Sequence, residues 1–158
     1  MFRQMRNRKN EMTSGEAEDL LRSCRRGVLA VNGDEGYPYA VPVNYLYDDG
    51  TGRIIFHGAK SGYKADCLKA DDRVCFTVYG SETVREEDWA PFVQSAVVFG
   101  RCRIIREQED IDRLLKKFAM KYYPDERMAD EEIARSGKAA WMFEIRIEHI
   151  SGKQVQEK

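Results

Sequence analysis

The run from Phe56 to Lys64, FHGAKSGYK, holds the residues best able to do chemistry. Ser-Gly-x-Lys stands where a helix begins. If Ser61 caps that helix, the amides of Gly62, Tyr63 and Lys64 point outward at its N-terminus, where a negative charge is favoured. Gly62 carries no side chain to keep a phosphate from the backbone, and Lys64 adds a full positive charge. Alone, the same four residues more often open an ordinary surface helix with a solvated lysine. His57 has several readings: hydrogen-bond donor to a phosphate or ring, proton donor, metal ligand, or a satisfied polar residue at a strand end. The only other histidine is His149, and no carboxylates stand at ligand spacing, so a metal site is not expected.

These residues follow two alternating strands. Tyr37 to Tyr47 places Tyr39, Val41, Val43, Tyr45 and Tyr47 on one face and Ala40, Pro42, Asn44 and Leu46 on the other. Pro42 cannot donate to a ladder and so marks an edge, a bulge or a point of local unpairing. The Asn44 amide, or backbone groups freed by Pro42, can pair with the edge of a heterocycle, though a polar residue on a wet strand face looks the same. After DDGTG the strand Arg53 to His57 sets Ile54 and Phe56 opposite Ile55 and His57. Strand edges for a flat ring, followed by a helix N-terminus and a lysine for a phosphate, suit a flavin.

The other elements frame this block. Thr13 and Glu16 have capping-box spacing ahead of the stripe Ala17, Leu20, Leu21 and Cys24, which predicts a helix from Thr13 to Arg26 with Gly27 as its stop. A strand at Gly27 to Val31 runs into the hairpin signal NGDEG. Ser61 to Ala70 reads as a short helix, and Arg73 to Tyr79 and Ser95 to Arg106 as strands. Gly80 to Gln94 has no clear period and reads as a long connection, whose Trp89 and Phe92 either cover a pocket or anchor the loop. Ile111, Leu114, Leu115, Phe118 and Tyr122 form the stripe of a helix from Glu107 to Tyr123. A loosely helical acidic stretch leads to a last strand, Ala140 to Ile150, where Trp141, Phe143, Ile145 and Ile147 alternate with charged or flexible residues. Six strands with three helices predict a mainly β protein, a small antiparallel β-barrel with peripheral helices.

The 158 residues, 42% hydrophobic and 34% charged, fit one ordinary globular domain. That domain is expected over 13–153, between a flexible basic tail at 1–12 and a short tail at 154–158. A net charge of −1 gives no global pull toward nucleic acid or an anionic membrane. No apolar run approaches the roughly 20 residues that span a bilayer. Cys24, Cys67, Cys75 and Cys102 form no CxxC pair and read as reduced core residues of a cytoplasmic protein.

The ordered blocks PYAVPVNY, FHGA-x-x-G-x-K, VCFTV, SAVVFGRCRII and WMFEIRIEHISGK resemble the pyridoxamine 5′-phosphate oxidase-like FMN-binding split barrels, in the branch that includes the 5-nitroimidazole resistance (Nim) proteins. The resemblance runs from Thr13 to Lys153. It implies a six-stranded split barrel that forms a homodimer with FMN at the interface. By that likeness Val43 and Asn44 lie along the flavin ring, and His57, Ala59, Lys60, Ser61, Gly62 and Lys64 surround the ribityl phosphate. Gln94, Ser95 and Trp141 approach the cofactor across the interface. The Arg-rich substrate motif of true pyridoxamine phosphate oxidases has no counterpart in the closing GKQVQEK. The activity implied is electron transfer from NAD(P)H to a small electron-poor acceptor such as a nitroaromatic; the rival is a flavin- or haem-binding sensor or carrier without turnover.

Overall fold

The computed structural model describes residues 1–83, 87 and 89–156. In chain order the elements are β1 (Glu11–Met12), α1 (Ser14–Ser23), β2 (Arg26–Asn32), β3 (Pro38–Asn44), β4 (Leu46–Asp48), β5 (Arg53–Ala59), α2 (Tyr63–Ala70), β6 (Arg73–Thr83), β7 (Phe92–Ile105), α3 (Gln108–Tyr122), α4 (Glu126–Ser136) and β8 (Ala140–Gln156). All strands join one antiparallel sheet in the order β3-β2-β6-β7-β8-β5-β4, with β1 set on β8. The fold is mainly β with peripheral helices, as expected, but the described residues form eight strands rather than six and four α-helices rather than three.

The two extra strands have identifiable causes. Glu11 and Met12 pair with Lys153 and Gly152, and Met12 is buried. The single strand expected from Tyr37 to Tyr47 breaks at Tyr45, because its two halves pair with different neighbours, β3 with β2 and β4 with β5. The connection expected at 80–94 is shorter, since β6 continues to Thr83 and β7 starts at Phe92. Residues 84–86 and 88 of that connection lie outside the described residues.

The capping box forms as read. Glu16 N donates to Thr13 Oγ1 at 3.2 Å, and the Glu16 carboxylate accepts from Thr13 N at 2.8 Å. Such a cap contributes about 1 kcal/mol. The helix nevertheless stops at Ser23, and Cys24 is already extended, so Gly27 falls inside β2 instead of ending α1.

The sheet curls around one core. Leu29, Val31, Tyr45, Ile54, Phe56, Phe76, Val98, Phe143 and Ile145 meet inside it, with Leu20 and Leu21 of α1 closing one end. Phe56 stacks on Phe143 with centroids 5.0 Å apart, and Tyr45 meets Phe76 edge-on at 4.8 Å. A second core lies outside the sheet, where Ile55, Ile105 and Met142 receive Ile111, Leu114, Leu115 and Phe118 of α3. This stretch of β5 is therefore buried on both faces, which is why Ile54-Ile55-Phe56 is an unbroken apolar run.

Candidate functional site

The curled sheet does not close. β3 pairs only with β2, and β4 covers β5 only from Arg53 to Ile55. Among the described residues, His57–Ala59 thus has β8 on one side and no strand on the other. β3 and β5 approach to within 8 Å between Cα atoms, so two free strand edges face a common split.

The hairpin register says which groups β3 offers there. Gly33 N donates to Tyr37 O at 2.9 Å, so Gly33 and Tyr37 are a hydrogen-bonded pair. Alternation along the ladder gives the same character to Val31/Tyr39, Leu29/Val41 and Gly27/Val43. Pro38, Ala40, Pro42 and Asn44 therefore turn their backbone groups toward the split. Two of the four are prolines without an N–H, which leaves Ala40 and Asn44 as donors beside four carbonyls. The edge marked by Pro42 in the sequence is this one.

α2 stands at the end of β5. It begins at Tyr63, with Gly62 as its cap residue at φ 119° and ψ 169°, a backbone conformation open essentially only to glycine. Ser61 lies outside the helix and does not cap it, which corrects the expected start. Tyr63 fixes the helix start to the β2–β3 hairpin: its hydroxyl accepts from Asp34 N at 2.6 Å and its ring packs on Tyr39 at 4.6 Å.

Lys64 points back under β5. Its Nζ lies 5.5 Å from the Phe56 ring and 5.8 Å from that of Phe143. A Cβ on Gly58 would sit 3.0 Å from that nitrogen, so glycine makes room for the ammonium. Among the described residues Lys64 has no hydrogen-bond or ion-pair partner, and burial lowers its pKa. His57 lies on the opposite face of β5, with its ring edge-on to Phe118 of α3 at 4.9 Å. Burial and then the nearby Lys64 ammonium lower the His57 pKa. Two groups that become cations at a cost thus stand near Gly58 on opposite faces of β5, and an anion near both would relieve that cost.

Asn44, His57, Gly58, Ala59 and Ala140 line one wall of a cavity of about 550 Å³. The other wall is Leu115, Phe118, Ala119, Tyr122 and Tyr123 of α3 and its end, with Glu132 and Ile133 of α4. Val43 is half-buried on the inner face of β3 and packs against the core. Lys60, Ser61 and Gly62 form the exposed turn from β5 into α2. Trp141 pairs with Gly58 and is half-buried between the two cores, with Arg106 at 5.0 Å and Lys69 at 5.5 Å from its ring.

Gln94 and Ser95 are elsewhere in the chain. They pair with Gln154 and Lys153, whereas His57 pairs with Met142. The 11 residues from 142 to 153 correspond to about 36 Å along a strand. Phe118 and Tyr122 join the site although their spacing reads as a helix core stripe, and no local signal in the sequence separates them from it. Among the described residues no group of three or more His, Cys, Asp or Glu side chains is placed to hold a metal ion, and no helix is long and apolar enough to cross a membrane.

Residues 13–154 match the sequence profile of a family described as pyridoxamine 5′-phosphate oxidase. No curated protein matches the chain by sequence. Among solved structures, a candidate 5-nitroimidazole antibiotic resistance protein from Bacteroides thetaiotaomicron superposes with a TM-score of 0.77 at 17% identity, over 92% of this chain and 87% of that one. A conserved hypothetical protein from Mycobacterium tuberculosis gives 0.77 at 22% identity, over 95% and 90%. An FAD-binding protein from Mesorhizobium loti gives 0.67 at 24% identity, over 92% and 96%. At these identities the likeness is one of fold.

Proposed function

Because this chain belongs to the pyridoxamine 5′-phosphate oxidase family, we propose that it binds a flavin in the split between β3 and β5, and that the flavin is FMN. The Lys64 ammonium, which has no partner among the described residues, together with the start of α2 at the end of two strand edges left unpaired among those residues, carries the reading. One terminal phosphate is matched by one ammonium and the first amides of α2. The backbone groups of Ala40 to Asn44 are free to pair with a flat heterocycle. An FAD-binding protein stands among the structures of similar fold. FMN is favoured here because Lys64 is the one ammonium assigned to this anion site and the described residues offer no glycine-rich loop for a pyrophosphate.

When bound, the flavin supplies the electron chemistry, taking electrons from NAD(P)H and passing them to a small electron-poor acceptor such as a nitroaromatic. The chain's own part is to hold the phosphate at Lys64, to orient the ring against β3 and to keep water from it with Phe118 and Tyr122.

The active form is a homodimer. The outer face of β2, β6 and β7 carries the exposed Val28 and Phe99 and the half-buried Val97, and Phe2 of the N-terminal arm stacks on Phe99 at 5.7 Å. Ser95 lies on the same face, in the row with Tyr79, so a second copy would bring Ser95 and Gln94 to its partner's split.

Release of the chromophore by denaturation tests the central claim: the purified protein is yellow and yields FMN. A colourless protein that takes up no added flavin overturns the reading. NADH- or NADPH-driven reduction of the bound flavin separates a reductase from a carrier.

A further inference from the structure

The β3–β5 split has no ladder across it, so something else must set its width. The chain crosses from one side of the split to the other at Tyr45, between the last pair of β3 and the first pair of β4. The backbone of Tyr45 bonds to the end of α3 instead. Tyr45 N donates to Tyr122 Oη at 2.8 Å, and that hydroxyl donates to a neighbouring carbonyl, Arg25 O at 2.6 Å or Tyr45 O. Lys121 Nζ donates to Cys24 O at 2.6 Å and Tyr45 O at 2.9 Å.

The same helix face reaches the other wall. The Tyr122 ring packs on Phe118 at 4.9 Å, four residues earlier, and Phe118 takes the edge of His57 at 4.9 Å. One turn of α3 therefore touches the end of β3 through Tyr122 and Lys121, and β5 through Phe118. Asn44 precedes the held residue, and both walls line the 550 Å³ cavity.

We infer that Lys121 and Tyr122 are positioning residues that hold Asn44 and the β3 edge at a fixed spacing from β5, so that the split admits a flat ring. That the ring is a flavin rests on the reading above. The brace itself does not.

The decisive variants are Tyr122→Phe, which keeps the ring on Phe118 and removes only the hydroxyl, and Lys117→Met. Lys117 pairs with Asp48 at the end of β4, one turn earlier, and fastens the same helix without touching the corner. Two measurements are made on both: amide hydrogen exchange resolved at Asn44 and Tyr45, and titration with FMN and riboflavin. For Tyr122→Phe the Tyr45 amide exchanges about tenfold faster, and FMN and riboflavin both weaken by about three- to tenfold, the size of one lost hydrogen bond. Lys117→Met melts earlier but keeps wild-type exchange at Tyr45 and wild-type affinities. Wild-type exchange and affinity in Tyr122→Phe overturn the inference, as do equal changes in Lys117→Met. A wild type that binds no flavin rejects the flavin reading, and the exchange rates then decide the brace alone.

Discussion

Lys64 and Lys121 are both half-buried lysines beside aromatic rings, one under β5 and one at the β3–β4 corner, and burial lowers the pKa of each. Their surroundings differ in one respect. Lys121 donates to two backbone carbonyls, while Lys64 faces two phenylalanine rings and, among the described residues, no acceptor. A buried ammonium with its acceptors in place is part of the framework. One without them is a cost that folding alone does not explain, and an anionic ligand would offset it.

That contrast breaks most sharply at Lys64. Lys64→Ala removes a charge-assisted contact of about 1.5–3 kcal/mol and weakens FMN by about ten- to a hundredfold. Riboflavin, which lacks the phosphate, binds as before. Superimposable FMN titrations of the two proteins would remove Lys64 from the site.

The effect at Lys121 is smaller and shows in stability. Lys121→Met takes the ammonium from Cys24 O and leaves Tyr45 O only the Tyr122 hydroxyl, at a cost of about 1–3 kcal/mol. It also changes the pH dependence. Burial holds Lys121 at about 8 in the folded chain, against an ordinary 10.5. Between those values the unfolded chain binds more protons, so this residue makes stability rise as pH rises from about 8 to 10.5, and the penalty is fully present below 8. The Cys24 thiol and the Tyr45 and Tyr122 hydroxyls face the same ammonium, with pKa values pushed up chiefly by burial, and they oppose the trend at high pH. The difference between wild type and Lys121→Met in denaturant titrations isolates the lysine. A difference that does not vary from pH 7.5 to 10 would contradict its lowered pKa.

The smallest effect is at His57. Without ligand its pKa is lowered from the ordinary histidine value, first by desolvation against its neighbours and then by the Lys64 charge. A bound phosphate reverses the local field and raises that pKa, while a ring without phosphate leaves it low. Proton NMR titration of the ligand-free, riboflavin-bound and FMN-bound protein reads this directly. Equal pKa values in all three states would place His57 away from the phosphate.

The sequence makes some of these features plain and hides others for physical reasons. α1, the β2–β3 hairpin and α3 follow from capping and apolar period, which are local. The break at Tyr45 is invisible because Val41, Val43, Tyr45 and Tyr47 keep one parity through it: the strand changes partner without changing face. Gly62 and Lys64 stand out because a helix start is a local signal. Tyr122 does not, since its hydroxyl works on a backbone 77 residues away. His57 and Lys64, seven residues apart, read as one cluster but lie on opposite faces of β5 and meet only at its end.

The prolines of β3 have a consequence for the protein before any ligand arrives. A bare strand edge invites pairing with another chain, and on the proposed reading this edge also stays open for a ring to enter. Pro38 and Pro42 remove two of the four outward donors, so a foreign strand meets a ladder with gaps in it. A small heterocycle needs only the short stretch near Asn44. The edge is thus a poor template for a foreign strand, while the groups near Asn44 remain available to the proposed flavin.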